Sequence, residues 1–504
     1  QLGEFIYEQP AVGDTEYIFK HALTQEVSYN SVLLERRKQL HERIGAALEK
    51  LYASSIDDHL DELAHHYSKS GNPAKALEYH ERVGLQAVQR SAYTDAMKSL
   101  TAARELLMEL PESPERDQRE LGLQTTLGEV LMITKGWAAP ETEQAYLRAQ
   151  ELAETGGTTT QRFSLLTGLL GVALVGGRMQ EAQERLKSVR YFISQHPEPP
   201  FLLEAHHHSW SLKLMIGELE AAQRHIEDGL AFYEAQLRSV PLPLYSAHHP
   251  AVCGHIFGGI VFWLRGYPEA AERHMRRAVL LAHEVGHSPS IMFALVHKAQ
   301  IRQIKREVAQ ALEAAEAAMD IAEKEGFPFV FSWAKIVKGW ALAQLGQPEP
   351  GVAQIREGLA IASATGSGFF RIYYLAQLAD ACGKTGRVDE GLEAIAEALG
   401  LIQNGERWWE AEIHRLQADL LLKQNLSNQA EAQASLDRAI EIARKQGAKS
   451  LELRATMSLA RLMRDTGRRD EAHAMVAEIY GWFTEGFDTA DLKDAKALLD
   501  ELNA

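Results

Sequence analysis

The chain has 504 residues, more than one hydrophobic core usually holds, so it forms either several domains or an extended repeat array. Its 53 basic and 69 acidic residues give a net charge of -16, which disfavours nucleic acid as a partner. The two cysteines, Cys253 and Cys382, lack CxxC spacing, and no apolar run has the length of a membrane span. We therefore expect a cytoplasmic protein with reduced thiols, no membrane contact and no cofactor.

The first 52 residues differ in pattern from the rest. EFIYE and EYIFK alternate apolar with polar side chains and flank the turn-forming stretch QPAVGDT, which predicts a short β-hairpin. From His21 to Tyr52 the pattern is helical.

Residues 53–480 carry a repeat with a period near 40. A turn-forming residue recurs at Trp137, Gly177, Gly217, Gly266, Arg306, Gly346, Gly386, Ser427 and Gly467. Five residues after eight of these nine turn positions stands Ala or Gly, and Thr142 follows Trp137. Seven residues before them the position is again often small, as at Gly259, Ala299, Gly339, Ala379 and Ala460. Small side chains at both points let two antiparallel helices pack closely, which predicts helix-turn-helix repeats.

Two features refine this prediction. The wider gap between Gly217 and Gly266 contains RSVPLPLYSAHHP, whose prolines predict an inserted loop. Upstream, DELAHHYSKSGNPAKALEYHERV matches the repeat closely. The pattern resembles that of tetratricopeptide repeats, with a longer period than their usual 34 or so. We expect an all-α, right-handed helical solenoid over residues 53–480 with a capping helix in residues 481–504.

Several segments are similar to one group of bacterial proteins. YIFKHALTQEVSYNSVLLERRKQLHERIGAALE resembles the junction between the winged-helix module of a STAND-type, signal-transducing NTPase and its helical repeats. ERWWEAEIHRLQADLLL and YGWFTEGFDTADLKDAKALLDEL are similar to the C-terminal regions of bacterial predicted ATPases, many of which carry a class III adenylate or guanylate cyclase domain. The resemblance implies that residues 1–52 end a winged-helix-like module. It also implies that the repeats sense an effector or partner and regulate an attached NTPase and cyclase.

The motifs of those catalytic domains are missing from the sequence. CGKTG is similar to the end of a phosphate-binding loop, but Leu378 stands where that loop requires glycine. The first residue is Gln, and we expect the chain to be part of a longer polypeptide. We expect the chain itself to be a non-catalytic interaction domain.

The alternative function is that of a zinc-dependent hydrolase. HEVGH would supply His283 and His287 as zinc ligands and Glu284 as general base, with Glu307 as a conceivable third ligand. However, Gly286 occupies the place that Gly326 and Gly447 take at the ends of other repeats, which favours a helix terminus with exposed histidines. The run AHHHSW could also bind a metal, but three consecutive histidines on a helix point in different directions, so we expect them on the surface.

A ligand is expected on the concave face, which the first helix of each repeat lines in a tetratricopeptide array. Counting back 13, 10, 6 and 3 residues from the turn positions gives the candidates for contact with a peptide, a protein or a small effector. They are Trp263, Phe293, Trp333, Trp340, Tyr373, Asp380, His414, Gln417, Arg454, Arg461 and Arg464. The three arginines share one helix face and predict either an anionic partner or ion pairs with neighbouring carboxylates.

Overall fold

A computed structural model describes residues 6–11, 14–245 and 248–503. The chain divides into two compact units, Gln1–Leu123 (unit 1) and Gln124–Ala504 (unit 2), with the boundary inside a helix. Within the described residues the secondary structure is helical apart from one hairpin, which confirms the predicted fold class. None of the described helices combines the length and apolarity needed to cross a bilayer.

Unit 1 begins with the predicted hairpin and continues as helices. Its elements are β1 (Ile6–Ala11), β2 (Asp14–Phe19), α1 (Ala22–Ser31), α2 (Leu34–Leu51), α3 (Leu60–Ser70), α4 (Pro73–Gln89), α5 (Tyr93–Met108) and the first part of α6 (Pro114–Thr134). The two strands are antiparallel, with Ile6 opposite Phe19, and the tip of the turn lies outside the described residues. Tyr67 and Tyr79 stack at 5.4 Å in the core between α3 and α4.

Unit 2 continues as paired helices. They are α7 (Pro140–Gly156), α8 (Thr159–Val175), α9 (Met179–Gln195), α10 (Pro199–Met215), α11 (Leu219–Phe232), α12 (Pro250–Leu264), α13 (Pro268–Val285), α14 (Ser288–Ile304), α15 (Val308–Glu325), α16 (Pro328–Gln344), α17 (Pro348–Ala364), α18 (Arg371–Thr385), α19 (Val388–Ile402), α20 (Glu410–Gln424), α21 (Gln429–Gln446), α22 (Lys449–Asp465), α23 (Arg469–Trp482) and α24 (Ala490–Asn503). The even-numbered helices α8 to α22 are the first helices of the repeats. The predicted inserted loop follows the π-helical turn Tyr233–Leu237 and leads into α12. The predicted domain boundaries at residues 52 and 480 stay predictions.

The predicted turn positions are where the chain reverses between paired helices. Seven of the nine have a φ between 64° and 91°, a left-handed conformation that glycine adopts without strain. They are Gly177, Gly217, Gly266, Arg306, Gly346, Gly386 and Gly467. At the other two, Gly136 supplies the positive φ beside Trp137, and Ser427 lies in the 3-10 turn Leu426–Asn428.

The small residues lie where paired helices touch. Ala182, Ala222, Ala271, Ala311, Ala432 and Ala472 are each fully buried. The closest approach joins α16 and α17, where a Cβ atom on Gly339 would lie 2.6 Å from the carbonyl oxygen of Gly351. Glycine is required there because the two backbones leave no room for a side chain.

Hydrogen bonds join parts of unit 2 that lie 187 to 193 residues apart. The amide of Gly368 donates to the carbonyl oxygen of Val175 (2.9 Å), and that of Arg407 donates to Met215 (2.7 Å). The Ser450 hydroxyl donates to the carbonyl oxygen of Trp263 (2.5 Å). The three acceptor carbonyls lie at the C-terminal ends of α8, α10 and α12. Each donor belongs to the repeat five positions further along, and lies at the start of its first helix or just before that helix. Unit 2 therefore completes a superhelical turn in five repeats and closes against itself.

Closure turns the inner face of the superhelix into an aromatic core. Trp333 packs on Phe370 with ring centroids 5.8 Å apart, Phe370 packs on Trp408 at 5.0 Å, and Trp408 packs on Trp409 at 4.9 Å. All four rings are at most 3% exposed. The inner face is thus largely a packed interior.

We predict that Gly339→Ala destabilises unit 2 by about 1 to 3 kcal/mol, because the new methyl group overpacks the α16–α17 contact. Gly400→Ala is the matched control: Gly400 is exposed in α19 and a Cβ there meets no atom within 4 Å. Alanine at that position should stabilise the helix by about 0.5 to 1 kcal/mol. Urea denaturation of both variants measures the difference. Equal unfolding midpoints would contradict the assigned helix contact.

Candidate functional site

A partly open cavity of about 320 Å³ lies in unit 2, between α14, α16, α18, α20, α22 and α24. We call it the charged cavity, because five basic and five acidic side chains line it. Its aromatic wall consists of Trp340, Tyr373 and Trp409, which are almost fully buried. The Tyr373 hydroxyl donates to Oε1 of Gln303 at 2.5 Å, and burial raises the pKa of Tyr373 well above its usual range. That hydroxyl therefore stays protonated.

The wall contributed by α20 is an ion-paired triad. Arg415 donates to both carboxylate oxygens of Glu412 at 2.7 and 2.9 Å and to Asp419 at 2.5 Å. Burial alone would lower the pKa of Arg415, but Glu412 and Asp419 raise it further above its usual high value. A two-pronged contact of this kind fixes the guanidinium orientation.

A second network ties α14, α22 and α24 together. Arg454 donates to Oδ2 of Asp491 at 2.8 Å and to the carbonyl oxygen of Ile304 at 2.7 Å. Its guanidinium lies over the Trp263 ring, 4.7 Å from the centroid. Arg306 pairs with Asp494 at 2.7 Å. The Arg454 side chain is 11% exposed and that of Asp491 10%, so this pair is held in a nearly dry environment.

Two cations and one amide of the lining lie outside these ion-pair networks. Lys384 and Arg461 are exposed at the cavity and have no ion-pair partner within the described residues. Gln377 is 3% exposed and its side chain lies beside the Tyr373 hydroxyl, but neither end of its amide has a partner with good hydrogen-bond geometry in the part of the chain that the structure describes. A buried amide without partners costs about 1 to 3 kcal/mol. These groups are the ones that a ligand could satisfy.

Five of the predicted ligand residues line the charged cavity: Trp340, Tyr373, Asp380, Arg454 and Arg461. Asp380 accepts hydrogen bonds from Nε1 of Trp340 at 3.2 Å and from Gln344 at 2.7 Å. Whether these residues bind a ligand stays a prediction.

The other aromatic candidates lie outside this cavity. Trp263 and Trp333 are 2% and 1% exposed, and Trp333 packs against Phe329 at 4.2 Å. Phe293 stacks on His248 with centroids 4.5 Å apart. Closure of the superhelix places these rings in the interior. In an open superhelix they would line an accessible groove.

His414 and Gln417 also lie outside the cavity. Oε1 of Gln417 lies 3.4 Å from both Nδ1 of His414 and the Ser435 hydroxyl of α21, so the pair faces the second helix of its own repeat. The 3-10 turn Leu426–Asn428 lengthens the connection after α20. The lining residues of α20 consequently fall two positions earlier than the count predicted, at Glu412 and Arg415.

Arg464 pairs with carboxylates instead of lining the cavity. It contacts Glu501 of α24 at 2.7 Å and its neighbour Asp465 at 2.8 Å. Of the three predicted arginines, Arg461 alone has no ion-pair partner within the described residues.

The HEVGH residues are not arranged as a zinc site. Helix α13 ends at Val285, and Gly286 is left-handed with a φ of 70°, so His283 and His287 do not share one helix face. Glu284 pairs with Arg277 at 2.7 Å, and Nδ1 of His287 lies 2.9 Å from the Ser290 hydroxyl. His283 is exposed and His287 is half-buried.

The prediction that AHHHSW carries surface histidines is wrong. His207 and His208 are each 3% exposed, and His206 is partly buried. Helix α10 is a first helix covered by its neighbours on several sides, so consecutive positions all face protein.

Residues that the sequence did not predict complete the site. Arg415 and Asp419 lie two positions before the counted ones, and the 41-residue spacing before Ser427 accounts for one of the two. Gln377 and Asp491 carried no periodic signal, because their positions depend on the closure of the superhelix and on the docking of α24.

No protein-family model matches the chain. Over 453 residues the chain is 27% identical to an uncharacterized protein of Rhizobium meliloti strain 1021, covering 89% of this chain and 44% of that protein. The chain therefore spans less than half the length of this relative.

Solved structures of helical-repeat proteins are also similar. A Rap protein complexed with competence and sporulation factor has a TM-score of 0.52 at 10% identity, covering 76% of this chain and 99% of that chain. A Signal Transduction ATPase with Numerous Domains protein with a tetratricopeptide repeat sensor, from Pyrococcus horikoshii, has a TM-score of 0.36 at 13% identity, covering 86% and 74%. The likeness to the Rap protein shows the helical-repeat fold.

We predict that Arg454→Gln lowers the stability of unit 2 by about 2 to 4 kcal/mol, because it leaves the buried carboxylate of Asp491 with only the longer contact to Arg306, at 3.2 Å. Arg464→Gln, the control on the same helix, breaks exposed pairs and should cost at most about 1 kcal/mol. Thermal unfolding of both variants provides the comparison. If Arg454→Gln melted like the parent protein, the Arg454–Asp491 pair would not be a structural tie.

Proposed function

We propose that unit 2 is a non-catalytic interaction domain that binds a short acidic polypeptide segment in the charged cavity. The observation that carries this proposal is that two exposed cations of the cavity lining, Lys384 and Arg461, have no ion-pair partner within the described residues. The buried Gln377 amide in the same wall adds a hydrogen-bonding group. A peptide bond offers one N–H donor and one C=O acceptor, the complement of a side-chain amide. A rotation of the Gln377 side chain toward the cavity would allow both hydrogen bonds.

The charge of the lining supports an acidic ligand. All five carboxylates of the cavity are engaged by protein donors: Asp380 by Trp340 and Gln344, and the other four by arginines. Arg461 and Lys384 remain available. A carboxylate side chain or a C-terminal carboxylate placed between these two cations would form charge-assisted hydrogen bonds.

The size and walls of the cavity suit a short segment. A volume of about 320 Å³ is near the lower end of the roughly 300 to 1,000 Å³ of ligand pockets. Trp340, Tyr373 and Trp409 provide apolar surface beside the charged groups. The cavity thus fits a few residues of an extended peptide.

A finer proposal is that occupancy of the cavity regulates an NTPase and a nucleotide cyclase in the same polypeptide. It is supported by the resemblance of the N-terminal segment to the junction of such proteins. The relative from Rhizobium meliloti is also more than twice as long as the matched region. Moreover, the hairpin and α1 expose apolar side chains, including Tyr17, Leu23 and Val27 at 61 to 71%, a face suited to covering by another domain. Occupancy can regulate only if the peptide binds two states of that polypeptide with different affinity.

We predict that random heptapeptides displayed on phage and selected on the whole chain become enriched in Asp and Glu. The selected peptide should bind the double variant Lys384→Gln, Arg461→Gln at least about tenfold more weakly than the parent, with a smaller salt dependence. Fluorescence anisotropy measures both the affinity and its salt dependence.

We also predict that Gln377→Leu weakens peptide binding without lowering the melting temperature, because leucine replaces a buried amide that has no well-oriented hydrogen-bond partner.

Arg464→Gln is the control, since Arg464 is a partly exposed arginine of the same helix outside the cavity. It should bind the peptide like the parent. Selection without enrichment, or equal affinity for the parent and the double variant, would refute the cavity as an acidic-peptide site. Added to a polypeptide that includes the attached domains, the same peptide should change ATP turnover or cyclic nucleotide production. Unchanged rates despite binding would refute the regulatory proposal alone.

A further inference from the structure

A second group of chemically active side chains lies in unit 2 outside the charged cavity. His207 comes from α10, His248 from the inserted loop and Cys253 from α12. All three residues are buried, at 3%, 5% and 1% exposure. His248 belongs to this group because it lies at the end of the inserted loop, directly before α12.

The distances within the group are those of metal ligands. One nitrogen from each imidazole and Sγ of Cys253 all lie within 4.8 Å of one another. Nε2 of His207 and Nε2 of His248 are 3.2 Å apart. Two imidazoles bound to one tetrahedral zinc ion have their nitrogens about 3.3 Å apart, given zinc–nitrogen distances of about 2.0 to 2.1 Å.

A carboxylate orients the central imidazole. Nδ1 of His207 lies 2.7 Å from Oε2 of Glu204, which is 1% exposed. A proton on Nδ1 donates to that carboxylate, so the lone pair of Nε2 points toward His248 and Cys253. Carboxylate–histidine pairs of this form hold the ligating tautomer at metal sites.

Space remains for one further ligand. A cavity of about 40 Å³ is lined by His207, His248 and Cys253 together with apolar side chains such as Phe293 and Trp333. It exceeds the roughly 10 to 15 Å³ that one water molecule needs. Three protein ligands with an open fourth position form a coordination pattern that zinc adopts.

We propose that His207, His248 and Cys253 bind one divalent zinc ion, with Glu204 as the residue that positions His207. Binding exchanges the thiol proton of Cys253 for the metal, and the proton leaves to solvent. The ion would join the inserted loop to α10 and α12 and so fix the entry into α12. The competing arrangement is a metal-free hydrogen bond between the two imidazoles.

The experiment uses the whole chain produced in cobalt-supplemented medium, with metal content measured by mass spectrometry and the absorption spectrum recorded. We expect about one cobalt ion per chain and a thiolate-to-cobalt charge-transfer band. Cys253→Ser should remove the band and most of the metal. Cys382→Ser, which changes the other buried cysteine, in α18, should retain both.

His248→Asn provides a second variant that leaves both cysteines in place. It should lose most of the metal while its helicity, measured by circular dichroism, stays that of the parent. The proposal is overturned if the parent protein holds no stoichiometric cobalt or zinc. It is also overturned if the charge-transfer band persists in folded Cys253→Ser.

Discussion

The contacts that close unit 2 on itself govern the rest of its structure. Carbonyl groups at the ends of first helices lack partners within their own helices. In unit 2 those of Val175, Met215 and Trp263 accept hydrogen bonds from residues 187 to 193 positions later. Because five repeats complete one turn, the inner face meets the following turn and becomes a core. Aromatic side chains that would line a groove in an open superhelix pack on one another here.

The charged cavity persists in this core because its polar groups are tied to one another. Arg415 with Glu412, and Arg454 with Asp491, satisfy charges that would otherwise be costly to bury. Arg454 also reaches the carbonyl of Ile304, so the same side chain helps to close the superhelix and forms the cavity wall. The paired groups therefore stabilise the closed structure, whereas the proposed ligand would contact the cations that have no ion-pair partner within the described residues.

Local features were predictable from the sequence, and long-range ones were not. Every repeat needs a left-handed turn residue, such as Gly177 or Gly386, and a small residue at the helix contact, such as Gly339. These needs recur about every 40 residues, so they are visible in the sequence. Closure joins residues 187 to 193 positions apart, and no periodic pattern in the sequence marks those contacts. The buried state of His207 also depends on neighbouring repeats, and the lining of α20 shifts with one 3-10 turn. Six of the eleven predicted ligand residues consequently lie outside the cavity.

Hydrogen exchange of backbone amides tests the closed superhelix most directly. Gly368 and Arg407 precede α18 and α20, where amides outside a helix normally exchange quickly with solvent. In the closed arrangement their N–H groups donate to Val175 and Met215. We predict that these two amides exchange as slowly as the amides inside the buried first helices. Exchange at the rate of an exposed loop would show that the turns do not close, and the buried core and its cavity would then be contradicted.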